Sequence, residues 1–102
     1  MRLLVFFDLP VDTTLQRKKY RQFRRFLLKD GYLMIQQSVY AKLVTNDSYA
    51  GAAITRLMRN RPATGLVQVL KVTEKQFAGM KYISGNRAAY SEVDSMEDFI
   101  II

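Results

Sequence analysis

Asp8 is the residue of this chain best placed to do chemistry. It is the first polar side chain after Leu3–Phe7, an unbroken apolar run within the stretch RLLVFFDLP. Such a run, with β-branched and aromatic members, reads as a short strand covered on both faces. Pro10 cannot donate to a ladder, so the strand stops there. One carboxylate is thereby set at the C-terminal edge of a central strand. The chain has no histidine and no cysteine among its 102 residues. That removes the commonest general base, the commonest transition-metal ligand and all thiolate and disulfide chemistry. Hydrolysis at Asp8 would depend on Mg2+ or Mn2+ to generate hydroxide and to neutralise developing charge. Mg2+ is held by one or two carboxylates together with waters and a substrate phosphate. Asp12 reads as turn chemistry, and Asp30 belongs to the far end of the next helix. The alternative for Asp8 is a turn role, accepting hydrogen bonds from backbone amides.

The second feature is cationic. The net charge is +7, from 16 Lys and Arg against 9 Asp and Glu. Every cation lies at or before Arg87, whereas Tyr90–Ile102 holds Glu92, Asp94, Glu97 and Asp98 and no cation. A basic body with an acidic, apolar tail points to a polyanionic partner for the body and a different task for the tail. Arg17, Lys18, Arg21, Arg24, Arg25 and Lys29 fall on one face of a helix at 100° per residue. No acid stands between Thr13 and Lys29, so no i,i+4 pair relieves their repulsion. Phosphate-backbone contact is the reading that uses such a face. Arg56, Arg59 and Arg61 could continue it.

These residues need elements to hold them. Thr13 with Gln16 fits a capping box, so the helix starts there and runs to Gly31, a natural C′ glycine. Its apolar face is Leu15, Tyr20, Phe23, Phe26 and Leu27, with Lys19 on the flank. Tyr32–Val44 is too long for one strand and is interrupted at Gln36, Gln37 and Ser38, which predicts a bend or a hairpin. Beyond the interruption, Val39, Ala41 and Leu43 are expected on the buried face, and Tyr40 on the other, at a dimer interface. A second helix is expected from Ser48 to Asn60, with Ala50, Ala53, Ile54, Leu57 and Met58 as its apolar stripe. Leu66–Thr73 reads as a strand, TEKQF as a tight or helical turn, and Met80–Ile83 as a further strand. Phe6, Phe7, Phe23 and Phe26 fit core packing. Phe99, Ile100, Ile101 and Ile102 read as an edge strand that docks on a sheet of this chain, a second copy or another protein.

The order β-α-β-β-α-β with extra C-terminal strands predicts an α+β, ferredoxin-like domain over residues 1–85. Residues 86–102 are then a connector and a C-terminal docking strand. One sheet face would lack helices, and self-association into a homodimer would cover it. No apolar run approaches the roughly 18 residues of a membrane span. The N-terminus shows no signal-peptide pattern, so a cytoplasmic protein without a membrane partner is expected.

The set VFFDLP, the basic helix, the QxSVY run at Gln36–Tyr40 and VTEKQF at Val72–Phe77 resembles the CRISPR-associated Cas-two family, in particular members from type II systems. The resemblance spans Arg2 to Ile83. It implies a ferredoxin-like fold and a symmetric homodimer formed through the sheets. It further implies a complex with the Cas-one integrase in which the dimer holds double-stranded prespacer DNA. Some members are described as metal-dependent endonucleases of RNA or DNA that use the aspartate ending the first strand, which matches Asp8. Where such members add arginines near the QxSV strand, this chain has Met34 and Ile35. Two Asp8 carboxylates brought to a two-fold axis could share one Mg2+. A spacer-acquisition scaffold, a metal-dependent endonuclease and a basic nucleic-acid-binding module with no family role are the three functions to weigh.

Overall fold

The computed structural model describes residues 1–85, in the order β1 (Arg2–Asp8), α1 (Thr14–Lys29), β2 (Leu33–Gln36), β3 (Val39–Leu43), α2 (Asp47–Arg59), β4 (Leu66–Val72) and α3 (Glu74–Ala78). The four strands form one antiparallel sheet in the order β2-β3-β1-β4. The fold is α+β. The apolar run of β1 is central because both its neighbours pair along it, and the interrupted stretch after α1 is a hairpin with a register shift between Met34 and Gln36.

Directly opposed residues of adjacent strands share a face. Leu3, Val5 and Phe7 therefore lie with Tyr40, Lys42, Val67, Val69 and Lys71 on the face that carries the helices. α1 sets Phe23 and Leu27 onto that face, and α2 sets Ala50, Ala53 and Leu57. Phe7 is the hub of the aromatic packing, with ring centroids 5.3 Å from Phe23, 5.6 Å from Tyr40 and 5.7 Å from Tyr20. Tyr40 is thus a fully buried core residue, not one of a dimer interface. The alternation of β3 was legible but its direction was not. Tyr40 faces the helices because its ring fills the space beside Phe7, which the smaller Val39 or Ala41 would leave open.

The other face holds Arg2, Leu4, Phe6 and Asp8 from β1, Val39, Ala41 and Leu43 from β3, Leu66, Gln68, Leu70 and Val72 from β4, and Leu33 from β2. Among the described residues neither α1 nor α2 covers it. Leu33, Leu43, Leu66 and Leu70 remain 67%, 57%, 54% and 53% exposed. At one corner α3 is pinned to the sheet by Arg2, whose guanidinium lies 4.6 Å from the Phe77 ring centroid and whose Nε donates to Glu74 at 2.9 Å.

Both helices begin as their sequences require. Thr13 and Gln16 make the full capping box of α1, and Asn46 accepts from the Tyr49 amide at the start of α2. Gly31 follows α1 with φ +97°, a conformation that favours glycine. Leu15 and Met58 depart from the expected apolar stripes: both are exposed, since each sits near a helix end that overhangs the core. Met80–Ile83 does not adopt a strand after α3, and Ile83 is almost wholly exposed. TEKQF is a short capped helix. The proposed connector and the docking strand Phe99–Ile102 lie outside the described residues. Among the described residues no helix is long and apolar enough to cross a membrane.

Candidate nucleic-acid interface and the strand-end carboxylate

β1 delivers Asp8 to the rim of the sheet, opposite Leu66 and on the open face. Its carboxylate is exposed and makes no hydrogen bond or ion pair among the described residues. A turn role for Asp8 is therefore replaced by two other residues. Gln16 Oε1 accepts from the amides of Asp12 (2.8 Å) and Thr13 (3.0 Å). Arg17 Nη1 donates to the carbonyls of Val11 (3.1 Å) and Asp12 (3.2 Å), and Nη2 to Thr14 Oγ1 (3.4 Å). Together they tie the loop between β1 and α1 to the first turn of the helix.

The other side of Asp8 is held by backbone packing. Gly65 has φ +94°, and a Cβ there would fall 2.8 Å from the Asp8 carbonyl and 2.7 Å from Leu9 Cδ2. Only glycine allows the chain entering β4 to approach β1 this closely. No cluster of three or more metal-ligating side chains forms among the described residues, so Asp8 stands as a single carboxylate per chain. One carboxylate with waters and a phosphate oxygen fits a Mg2+ ion that keeps most of its hydration, and does not fit a dedicated protein cage.

α1 presents Lys18, Lys19, Arg21, Arg24, Arg25 and Lys29 to solvent, and none of them pairs with an acid among the described residues. Arg17 differs from these because its guanidinium is engaged by the loop. Three acids that might have neutralised α1 are committed elsewhere. Asp30 pairs with Arg56 (2.8 Å) and Lys42 (3.7 Å), Asp47 with Lys71 (2.5 Å), and Glu74 with Arg2 (2.9 Å). The hydrogen bond from Lys71 holds the Asp47 carboxyl below its ordinary range, and that from Arg2 does the same for Glu74. Of the cations on and just after α2, Arg56 is thus bound to Asp30, and Arg61 donates to the Met58 carbonyl at 2.8 Å.

The buried edge of this charge network was not legible in sequence. Asp30 and Tyr32 from the connection after α1, Lys42 from β3 and Arg56 from α2 meet from three separate segments, at separations of up to 26 residues. Tyr32 is fully buried, lies 5.5 Å beneath the Lys42 ammonium, and its hydroxyl has no partner among the described residues. Burial, reinforced by the nearby Asp30, pushes its pKa up to about 12.

The outer face of α1 and the carboxylate of Asp8 lie on opposite sides of the sheet. A rod of phosphates laid along α1 therefore does not pass over Asp8 of the same chain.

Residues 1–80 match the family model described as CRISPR associated protein Cas2. A protein from Streptococcus mutans named CRISPR-associated endoribonuclease Cas2 is 52% identical over 87 residues, covering 85% of this chain and 80% of the relative. A protein of the same name from Acidovorax ebreus is 54% identical over 85 residues, 83% of each chain. One from Treponema denticola is 46% identical over 95 residues, 92% of this chain and 94% of the relative. The crystal structure of Streptococcus pyogenes Cas2 at pH 6.5 superimposes with a TM-score of 0.62 at 20% identity, over 82% of this chain and all of that one, and speaks for the fold alone.

Proposed function

This chain belongs to the CRISPR-associated Cas2 family, and on that premise we propose that it is a homodimeric scaffold of spacer acquisition, which holds duplex prespacer DNA and docks the Cas-one integrase. The observation that carries the binding half is the unpaired cationic face of α1: Lys18, Arg21, Arg24, Arg25 and Lys29 with no acid among them. Duplex DNA offers a regular phosphate lattice, so a rigid basic helix suffices and no base need be read. The open sheet face supports the homodimer. Its exposed leucines are the surface a second copy would cover, which completes a ferredoxin-like arrangement with helices on both outer sides.

The test is the salt dependence of duplex binding. Each phosphate contact removed lowers the slope of log K against log salt by about 1. Arg21→Ala, Arg24→Ala and Arg25→Ala are each expected to lower it so, with little change for Arg17→Gln, whose side chain serves the loop. A wild-type slope near zero would remove the duplex reading.

A second reading is favoured by the free carboxylate of Asp8 and by the relatives' name, endoribonuclease. Two copies joined through the open face would carry both Asp8 side chains to that interface, since Asp8 lies on that face. Asp8 would then hold Mg2+, and the ion would activate water and neutralise the phosphate. Asp8→Asn keeps the size and removes the charge. The scaffold reading expects duplex binding and assembly with the integrase to persist in Asp8→Asn. The nuclease reading expects Mg2+-dependent cleavage of RNA or DNA by the wild type that this substitution abolishes.

A further inference from the structure

A groove opens at the end of the sheet remote from Asp8. It is lined by Lys42, Leu43, Val44, Thr45, Tyr49 and Arg56 and encloses about 380 Å³, within the range of small-ligand sites of roughly 300–1,000 Å³. β1 has 7 residues, so this end lies about 20 Å from Asp8.

Its cations are preorganised. Asp30 takes the Arg56 Nε–H at 2.8 Å, which fixes the plane of the guanidinium and leaves Nη1 and Nη2 without a hydrogen bond among the described residues. Lys42 is steadied by the Asp30 carbonyl and carboxylate and by the Tyr32 ring. A guanidinium held by one edge presents the other to a planar pair of oxygens, as phosphate binding requires. Two cations against one carboxylate leave a single positive charge, the complement of one phosphodiester. Beside them Tyr49 is 63% exposed, an aromatic ring on the first turn of a helix with no ring stacked on it among the described residues.

We propose that this groove is a second nucleic-acid site, which takes one unpaired nucleotide with its phosphate on Arg56 and Lys42 and its base on Tyr49. The site does not depend on the duplex reading. A helix of paired bases shows Tyr49 no free base face, whereas a single strand does, and stacking of this kind tolerates any base.

The test uses the full chain and a fluorescein-labelled hexathymidylate, read by anisotropy, with a long duplex as the parallel probe. Tyr49→Ala is expected to weaken hexathymidylate binding roughly tenfold, Tyr49→Phe to leave it unchanged, and both to bind duplex as the wild type does. Arg56→Lys keeps the charge and the partner for Asp30 but loses the fork, and is expected to weaken hexathymidylate binding severalfold with an unchanged melting temperature. Wild-type affinity for hexathymidylate in Tyr49→Ala would overturn the proposal. So would loss of that binding in Arg24→Ala with retention in Tyr49→Ala, which would assign single strands to α1.

Discussion

At the scale of single residues, the charged and polar groups of this chain divide by what holds them. Among the described residues Asp8 has no partner, Asp30 is shared by two cations, and Tyr32 is buried with an idle hydroxyl. Tyr32 gives the sharpest solution test. Its folded-state pKa of about 12 lies above the unfolded value of 10.0. Above pH 10 the unfolded chain therefore loses a proton that the folded chain keeps, and stability falls until the folded pKa is passed. Below pH 10 the group contributes no pH dependence. Tyr32→Phe is expected to remove this alkaline component while leaving neutral-pH stability within about 1 kcal/mol, because a buried hydroxyl without a partner contributes no hydrogen bond. Denaturant melts of both proteins at pH 7 and pH 11 check it; an equal loss at pH 11 in the variant would remove Tyr32 as the cause.

At the scale of elements, α1 is both the basic surface and the anchor of the loop that follows Asp8. Its capping box was readable from the Thr13–Gln16 spacing, and the structure adds the second amide that Gln16 accepts. Gln16→Ala removes both acceptor contacts and is expected to cost about 1 kcal/mol, the ordinary size of a lost cap, measured by chemical denaturation. The amides of Asp12 and Thr13 should also exchange faster with solvent, whereas those of the middle of α1 should not. Unchanged exchange at both amides would mean that the loop is held without Gln16. The cationic side chains beyond Arg17 carry no such structural duty, so their substitution is expected to alter nucleic-acid affinity and spare the melting temperature.

At the scale of the whole molecule, the sheet has one face under α1 and α2 and one that neither of them covers among the described residues. Leu70 stands on the bare face beside Leu4, and more than half of it is exposed. Its replacement costs the folded monomer little and, in the homodimer proposed above, would place a charge in the interface between copies. Leu70→Lys is expected to convert a dimer into a monomer near the chain mass of 11.8 kDa, by light scattering after size exclusion, with the circular dichroism spectrum unchanged. A variant that remains a dimer would place the homodimer contact elsewhere. Because Asp8 shares this face, the same variant is expected to lose any metal-dependent cleavage and retain a weaker, monovalent contact with duplex DNA.

The sequence by itself determined the strand before Asp8, the capped basic helix, the break at Gln36–Ser38, the second helix and the family. Each of these rests on local signals: an apolar run ended by proline, a threonine and a glutamine three residues apart, a polar interruption, and the motifs around Gln36 and Val72. What only the tertiary structure decided was which way each pattern faces. Alternation in β3 is symmetric under a flip, and the choice of Tyr40 for the core came from the space beside Phe7. The commitment of Arg17 to a loop and of Asp30 to Arg56 likewise depended on backbone atoms and segments that sequence spacing does not bring together. Charge could be counted along the chain, but which charges remain free for a partner depended on the ion pairs that engage Asp30, Asp47 and Glu74 away from α1.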